Sequence, residues 1–237
     1  MDKPFLTAAW KNLIMANYKV DPAVLQDYLP RYTALDDYKG CVYVSLIGFM
    51  FADTRLRGVP VPFHRNFEEV NLRFYVKYLH QGTWKRGAVF IKEIVPKPAI
   101  SLVANTLYHE HYQTMRMKHY YNENNDSISL GYHWKYKGMW NKLEAITDNE
   151  ALPMLPGSEE EFIAEHYWGY AKYNQQTTFE YAVQHPAWKV HNVKEYLVSC
   201  DFEKLYGDRF AFLQNTKPSS VFMAKGSAVA VLPKRKL

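Results

Sequence analysis

Apolar and polar residues alternate with a period of two along much of the chain, the pattern of half-buried strands. It is clearest in DSISLGYHWKYK. There Ile128, Leu130, Tyr132, Trp134 and Tyr136 take one face, and Ser127, Ser129, Gly131, His133 and Lys135 the other. In EEVNLRFYVKYLH, Val70, Leu72, Phe74, Val76 and Tyr78 oppose Glu69, Asn71, Arg73, Tyr75 and Lys77. CVYVSLIGFMFA (41–52) is apolar on both faces, which predicts a strand in the middle of a sheet. AVFIKEIV, YQTMRMKHYY, TTFEYAVQ and SSVFMAKGSAVAVL add further strands. Loop signals cluster at 55–66, 80–87, 122–126 and 152–158.

Helical signals are few. Asp21-Pro22 opens a short helix, with Asp as N-cap and Pro at the first helical position, and Pro30 closes it. In GSEEEFIAEHYWGYAKY, Ser158 and Glu161 form a capping box with three acids in the first turn. Phe162, Ile163, His166, Tyr167 and Tyr170 then give a helical stripe. DFEKLYG offers a single-turn piece ending at Gly207. The prediction is one mainly β domain over residues 1–237. It is an antiparallel sheet, curled or closed into a barrel, with two or three short helices packed outside.

Composition narrows the class. Aromatic residues make up 16% of the chain, led by 19 Tyr, which favours strands. The only cysteines, Cys41 and Cys200, lie in apolar runs and read as buried free thiols, so a reducing, cytoplasmic location is expected. No signal-peptide core is visible at the N-terminus, and no run approaches the roughly 18 apolar residues of a membrane span. The net charge of +5 includes the tail Lys234-Arg235-Lys236, which reads as a solvated end and not as a nucleic-acid site.

Two stretches carry candidate chemistry. Glu69, Asn71 and Arg73 share a strand face that is solvated in an open sheet but looks into a cavity in a closed one. There Arg73 could pair bidentately with a substrate carboxylate, and Glu69 could act as acid or base once burial raised its pKa. The second stretch is YHEHYQT. If extended, it puts His109 and His111 on one face about 6–7 Å apart. Two imidazoles can share a metal, but a catalytic zinc needs a third ligand, for which His133, His119, Glu69 or His64 would serve. The plainer alternative is hydrogen bonding to neighbouring tyrosines. Beyond them, Tyr112, Thr114, Arg116 and Lys118 fall on one face, and Gln113, Met115, Met117 and His119 on the other. Tyr112 could donate to a carbonyl or carboxylate oxygen. No nucleophile elbow and no Gly-rich phosphate loop is present.

VDPAVLQDYLP, YVSLIGFMF, FEEVNLRFYV, LYHEHYQTMRM, EEFIAEHYWGYAK, QHPAW and PSSVFMAKGSAVAVLPKRKL follow one another in an order that resembles the YqjF-like family of uncharacterised bacterial proteins. That family belongs to the acetoacetate decarboxylase-like superfamily. The resemblance covers nearly the whole chain and implies a closed or nearly closed barrel-like sheet with an internal cavity. It also implies a comparison of mechanism. The decarboxylases form an imine on a lysine whose pKa is lowered by a second lysine, in a signature resembling Gly-Phe-Pro-Lys-Lys. The matching residues here are His109-Glu110-His111-Tyr112-Gln113, so a phenol and an amide stand in place of the lysine pair. The turn's glycine and proline become His109 and His111. Glu69 and Lys19 match an acidic and a basic pocket residue of the decarboxylases.

These observations predict a domain that binds a small organic acid or carbonyl compound near Glu69, Asn71, Arg73, His109, His111 and Tyr112, with Gln113, Arg116 and Lys19 as further contacts. Glu69, Tyr112 and His109 are the candidates for acid–base chemistry without an imine, unless Lys92, Lys118 or Lys225 supplies the amine. No cofactor or metal is assigned. One alternative is a non-catalytic binding or assembly protein, favoured by a void below about 300 Å³. Another is a metal-dependent hydrolase or lyase using His109 and His111. A homo-oligomer is compatible with the sequence; a nucleic-acid or membrane partner is not expected.

Overall fold

The structure, a computed structural model, describes residues 3–237. In chain order the strands of the first half are β1 (Leu6–Val20), β2 (Thr33–Leu35), β3 (Val42–Leu56), β4 (Val59–Pro60), β5 (Phe67–His80) and β6 (Thr83–Val95). Helix α1 (Pro98–Leu107) leads to β7 (Tyr112–Thr114), β8 (Arg116–Glu123), β9 (Ile128–Tyr136) and β10 (Met139–Pro153). After α2 (Glu159–Ala164) come β11 (Trp168–Lys172), β12 (Thr178–Gln184) and β13 (Lys189–Ser199), then α3 (Phe202–Tyr206), β14 (Ser220–Val231) and β15 (Arg235–Lys236).

Seven strands form a ring in the order β12-β11-β6-β5-β3-β1-β14, closed by pairing of Val183 and Gln184 on β12 with Val231 and Ala230 on β14. From β14 the sheet runs on as a wing, β13-β10-β9-β8, which folds back over the ring. The ring is irregular, with bulges in β1–β3 and β5–β6. The sheet is mostly antiparallel, as the sequence predicts, with β6 pairing in parallel with β11 and β7.

Strand parity decides which core each side chain enters. Val44 and Leu46 of β3 and Val70, Leu72 and Phe74 of β5 face outward, into a core shared with Leu130, Tyr132 and Trp134 of the wing. The wing packs closely against the ring at Gly48, where a Cβ would sit 2.7 Å from the Tyr132 ring. Ile47, Phe49 and Tyr75 face inward, into a second core that also receives Phe162 and Ile163 of α2. β3 is buried on both faces because it lies between β1 and β5 and is covered by both cores. The polar face of β5 follows the same parity, so Glu69, Asn71 and Arg73 are buried inside the ring.

Helix α2 has the predicted cap, with the Glu161 amide donating to Ser158 Oγ at 3.2 Å. It ends at Ala164, and the expected helical continuation through Tyr170 is instead strand β11. Tyr170 there packs as a strand residue, fully buried, with its hydroxyl donating to Glu180. Helix α1 and strands β1, β10 and β13 were not anticipated, and the predicted loop at 80–87 is only the tight turn Gln81-Gly82 before β6. Cys41 and Cys200 are free thiols, Cys200 buried and Cys41 half-buried. Among the described residues no helix is long and apolar enough to cross a membrane.

Candidate functional site

One end of the ring encloses a cavity of ≈ 170 Å³. Its walls are largely apolar: Trp10, Phe49, Phe51, Phe67 and Phe90 from the strands, and Ile100, Val103 and Ala104 from α1. Val61 and His64, from the loop after β4, complete it. The polar groups are few and concentrated. Asn71 on β5, Glu93 on β6 and Tyr112 on β7 lie in one row across the sheet, Asn71 paired with Glu93 and Glu93 with Tyr112. Glu69, two residues before Asn71, and Glu110, two before Tyr112, share the inward parity of those neighbours.

Three carboxyl groups therefore meet in a space that water barely enters. Glu69 accepts from Asn71 Nδ2 at 2.9 Å on Oε1 and from the Tyr112 hydroxyl at 3.0 Å on Oε2. Glu110 Oε1 accepts from the Tyr181 hydroxyl at 2.7 Å. Glu93 Oε2 is buried with no hydrogen-bond partner. Burial is the largest influence on all three and raises each proton affinity. Glu69 is pushed up to about 7, even though Asn71, Tyr112 and Arg73 act to lower it. Glu110 is pushed up to about 7, by burial and the Glu69 charge against the Tyr181 hydrogen bond. Glu93 lies well above the ordinary carboxylate range, through burial and its two carboxyl neighbours. Burial and these carboxylates also hold the Tyr112 and Tyr181 phenols well above 10, so both remain donors.

Arg73 supplies the cavity's cation. It is 8% exposed, and its Nε donates to the Tyr75 hydroxyl at 3.4 Å. The Tyr75 hydroxyl in turn donates to Ser45, and Ser45 to Asn17. Among the described residues no carboxylate forms an ion pair with its guanidinium within 4.0 Å. A buried guanidinium without a carboxylate is costly unless a partner arrives from outside.

The predicted site is thus brought together in part. Glu69, Asn71, Arg73 and Tyr112 line the cavity. The others stand elsewhere. Residues 109–111 are not a strand, and His109 takes a left-handed backbone (φ 58°). Its ring stacks on Phe179 at 5.3 Å and lies 4.5 Å from Tyr173. His111 is exposed, and between the two it is Glu110 that points inward. Gln113 lies half-buried on β7, Arg116 is exposed near the Trp140 ring, and Lys19 is exposed on β1. No lysine lines the cavity, neither Lys92, Lys118, Lys225 nor any other. Of the proposed third metal ligands, Glu69 and His64 line the cavity, whereas His133 bonds Glu144 on the wing and His119 bonds Glu68. Among the described residues no three His, Cys, Asp or Glu side chains are grouped to hold a metal ion.

Sequence reasoning missed Glu93, Glu110 and Tyr181. Glu93 carried a signal, a lone acid inside the apolar strand AVFIKEIV. Glu110 had the parity of Tyr112, which an HxH motif obscures. Asn105 of α1 was also missed. Its amide grips β7 at both backbone atoms of Tyr112, accepting from N at 2.7 Å and donating to O at 2.9 Å.

The ring, its wing and the cavity define an acetoacetate decarboxylase-like fold. Acetoacetate decarboxylase from Legionella pneumophila superposes with a TM-score of 0.66 at 14% identity, covering 99% of this chain and 87% of that one. The enduracididine biosynthesis enzyme MppR in complex with pyruvate gives a TM-score of 0.64 at 11% identity, covering 100% and 91%. Within that fold, the model of DUF2071, an uncharacterized conserved protein family (COG2071), matches residues 7–228, and the chain belongs to this family. The uncharacterized protein YqjF of Bacillus subtilis (strain 168) is 30% identical over 191 residues, 78% of this chain and 74% of that protein.

Proposed function

We propose that this protein binds a small carbonyl compound bearing a carboxylate in the ring cavity, and acts on it by acid–base chemistry without forming an imine. The observation that carries this reading is Arg73, a buried guanidinium with no carboxylate partner, lining the same cavity as the Glu69–Tyr112 pair. A ligand carboxylate would complete Arg73 through a charge-assisted pair. The ligand's carbonyl would then lie near the phenols and near carboxyl groups whose proton affinities suit transfer close to neutrality. The pyruvate held by the enduracididine biosynthesis enzyme is a 2-oxo acid accommodated on a related fold.

Size limits the ligand. At ≈ 170 Å³ the cavity is below the ~300 Å³ expected for a drug-sized site, and that favours a second reading, a scaffold that keeps the ring without chemistry. An apolar cavity of about 150 Å³ nonetheless holds benzene, so a ligand of roughly six to eight non-hydrogen atoms is accommodated. Saturation-transfer NMR with 2-oxobutanoate, and with butanone as the analogue lacking the carboxylate, separates the readings. The expected result is binding of the oxo acid that falls about tenfold or more in Arg73→Met. No binding of either compound to the native protein supports the scaffold reading and overturns ours.

A further inference from the structure

The cavity contains the Glu–Tyr arrangement twice. Glu69 comes from β5 and takes its bond from Tyr112 of β7; Glu110 comes from the segment before β7 and takes its bond from Tyr181 of β12. The two carboxyls are not hydrogen-bonded to each other, and each is held by its own phenol. Glu93 stands beside both with one oxygen unpartnered, so the proton count of the three is shared. One general base would need one of these pairs. Two pairs in one cavity, neither carboxyl ion-paired to a cation within 4.0 Å, suit a proton that leaves a carbon at one place and returns at another.

We propose that Glu69 and Glu110 form a two-base site that enolises a small 2-oxo acid, one carboxyl serving each face of the bound enol. This deepens the function proposed above and rests on it. In the step, the ionised Glu69 carboxylate takes a proton from the carbon next to the ketone. The C–H electron pair becomes the C=C bond, and the carbonyl π pair moves onto oxygen, which the phenols stabilise by hydrogen bonding. The protonated Glu110 then returns a proton to the carbon from the other side, and the C=O bond re-forms. Glu69 ends protonated and Glu110 ionised, and the next turnover runs in the opposite sense. Nothing is oxidised or reduced and no co-reactant is consumed. The reaction class is proton relocation: racemisation, or movement of a double bond into conjugation.

The substrate class follows from the walls. The lining combines Arg73, Asn71 and the carboxyl–phenol pairs with apolar side chains such as Phe49, Phe51, Ile100 and Val103. A short 2-oxo acid with an alkyl tail sets its carboxylate on Arg73 and its tail against the apolar lining.

The test uses 2-oxobutanoate in D₂O, with mass spectrometry of the deuterium at its third carbon after correction for buffer alone. The native protein is expected to introduce two deuterium atoms. Glu69→Gln and Glu110→Gln are each expected to stop at one, the second entering about 100-fold or more slowly. Where a glutamine variant fails to fold, Glu69→Asp and Glu110→Asp keep the carboxyl but withdraw it by one methylene. Either is expected to slow one of the two exchanges selectively. A single glutamine variant that still introduces both deuterium atoms overturns the two-base assignment. So does a native protein that binds 2-oxobutanoate by saturation transfer yet exchanges nothing, an outcome that leaves the binding function standing. Absence of binding overturns both.

Discussion

The Tyr112 hydroxyl donates to Glu69 Oε2 at 3.0 Å, tying β7 to β5 across the intervening strand β6. This bond favours the ionised carboxylate, while burial favours the neutral acid, and burial prevails. Glu69 consequently titrates near 7 and not near 4.5.

Tyr112→Phe removes the donor and keeps the ring. Because the hydrogen bond lowers the Glu69 pKa, its loss raises it. A ¹³C-carboxyl titration of Glu69 is expected to move to higher pH, with a stability cost of about 1 kcal/mol. An unchanged or lower titration midpoint would show that Tyr112 does not hold Glu69 in solution.

The carboxyl cluster also sets a pH dependence of stability. A carboxyl whose folded pKa is raised stabilises the fold fully below its unfolded value, near 4.5. That contribution is lost as pH rises through 4.5 toward the folded pKa, because the unfolded chain ionises first. The buried imidazole of His166, pushed down to about 4, acts oppositely below 6.5, but it is common to native protein and variants. Glu93→Gln is neutral at every pH. Its melting temperature is expected to fall less than the native protein's between pH 5.5 and 8.5, and to exceed it at 8.5. Parallel melting curves would sink this account of Glu93.

Strand parity makes much of the site legible in the sequence. The alternation through residues 69–77 places Glu69, Asn71 and Arg73 on one face; ring closure then buries that face. The motif order of the YqjF-like family implies the closure, which alternation alone could not. What misleads is local. YHEHYQT looks extended, yet α1 runs up to Leu107 and His109 turns left-handed, so the first residues of the motif leave the sheet and only Tyr112 onward joins it. Glu110 enters the cavity with the parity of Tyr112, while His109 packs on Phe179 and His111 faces out. Tyr181 is hidden differently. Its partner lies 71 residues away in sequence, and only the closed ring brings β12 to Glu110.

Gly169 controls that last contact. A Cβ there would lie 2.1 Å from Tyr181 Cζ and 2.5 Å from its hydroxyl, so Gly169→Ala must displace the phenol from Glu110. The expected outcome is a loss of about 1–3 kcal/mol, with deuterium exchange reduced to the level of Tyr181→Phe. Adding Tyr181→Leu to Gly169→Ala relieves the overlap and is expected to recover stability without recovering exchange. If Gly169→Ala exchanges at the native rate, the Tyr181–Glu110 bond plays no part in the chemistry.

Imine formation requires a neutral amine inside the cavity, which a neighbouring cation and apolar walls would provide. Two lysines have proton affinities lowered by burial, Lys92 and Lys234, and neither lines the cavity. Lys92 leaves β6 on the face opposite Glu93 and donates to the Leu205 carbonyl, 5.8 Å from the Tyr206 ring centre. Lys234 lies 3.8 Å over the Phe179 ring, close enough to Glu110 to lower the carboxyl's pKa, and Glu110 in turn raises that of the lysine. The neighbouring carboxylate opposes the lowering that burial imposes on this amine, the reverse of what attack on a ketone needs. Borohydride reduction in the presence of 2-oxobutanoate is therefore expected to leave the intact mass of the protein unchanged. Lys92→Met is expected to bind the oxo acid as the native protein does. A reduced adduct mapped to Lys234 would mean that the C-terminal segment can carry its amine into the ring, and the acid–base mechanism would give way to an imine.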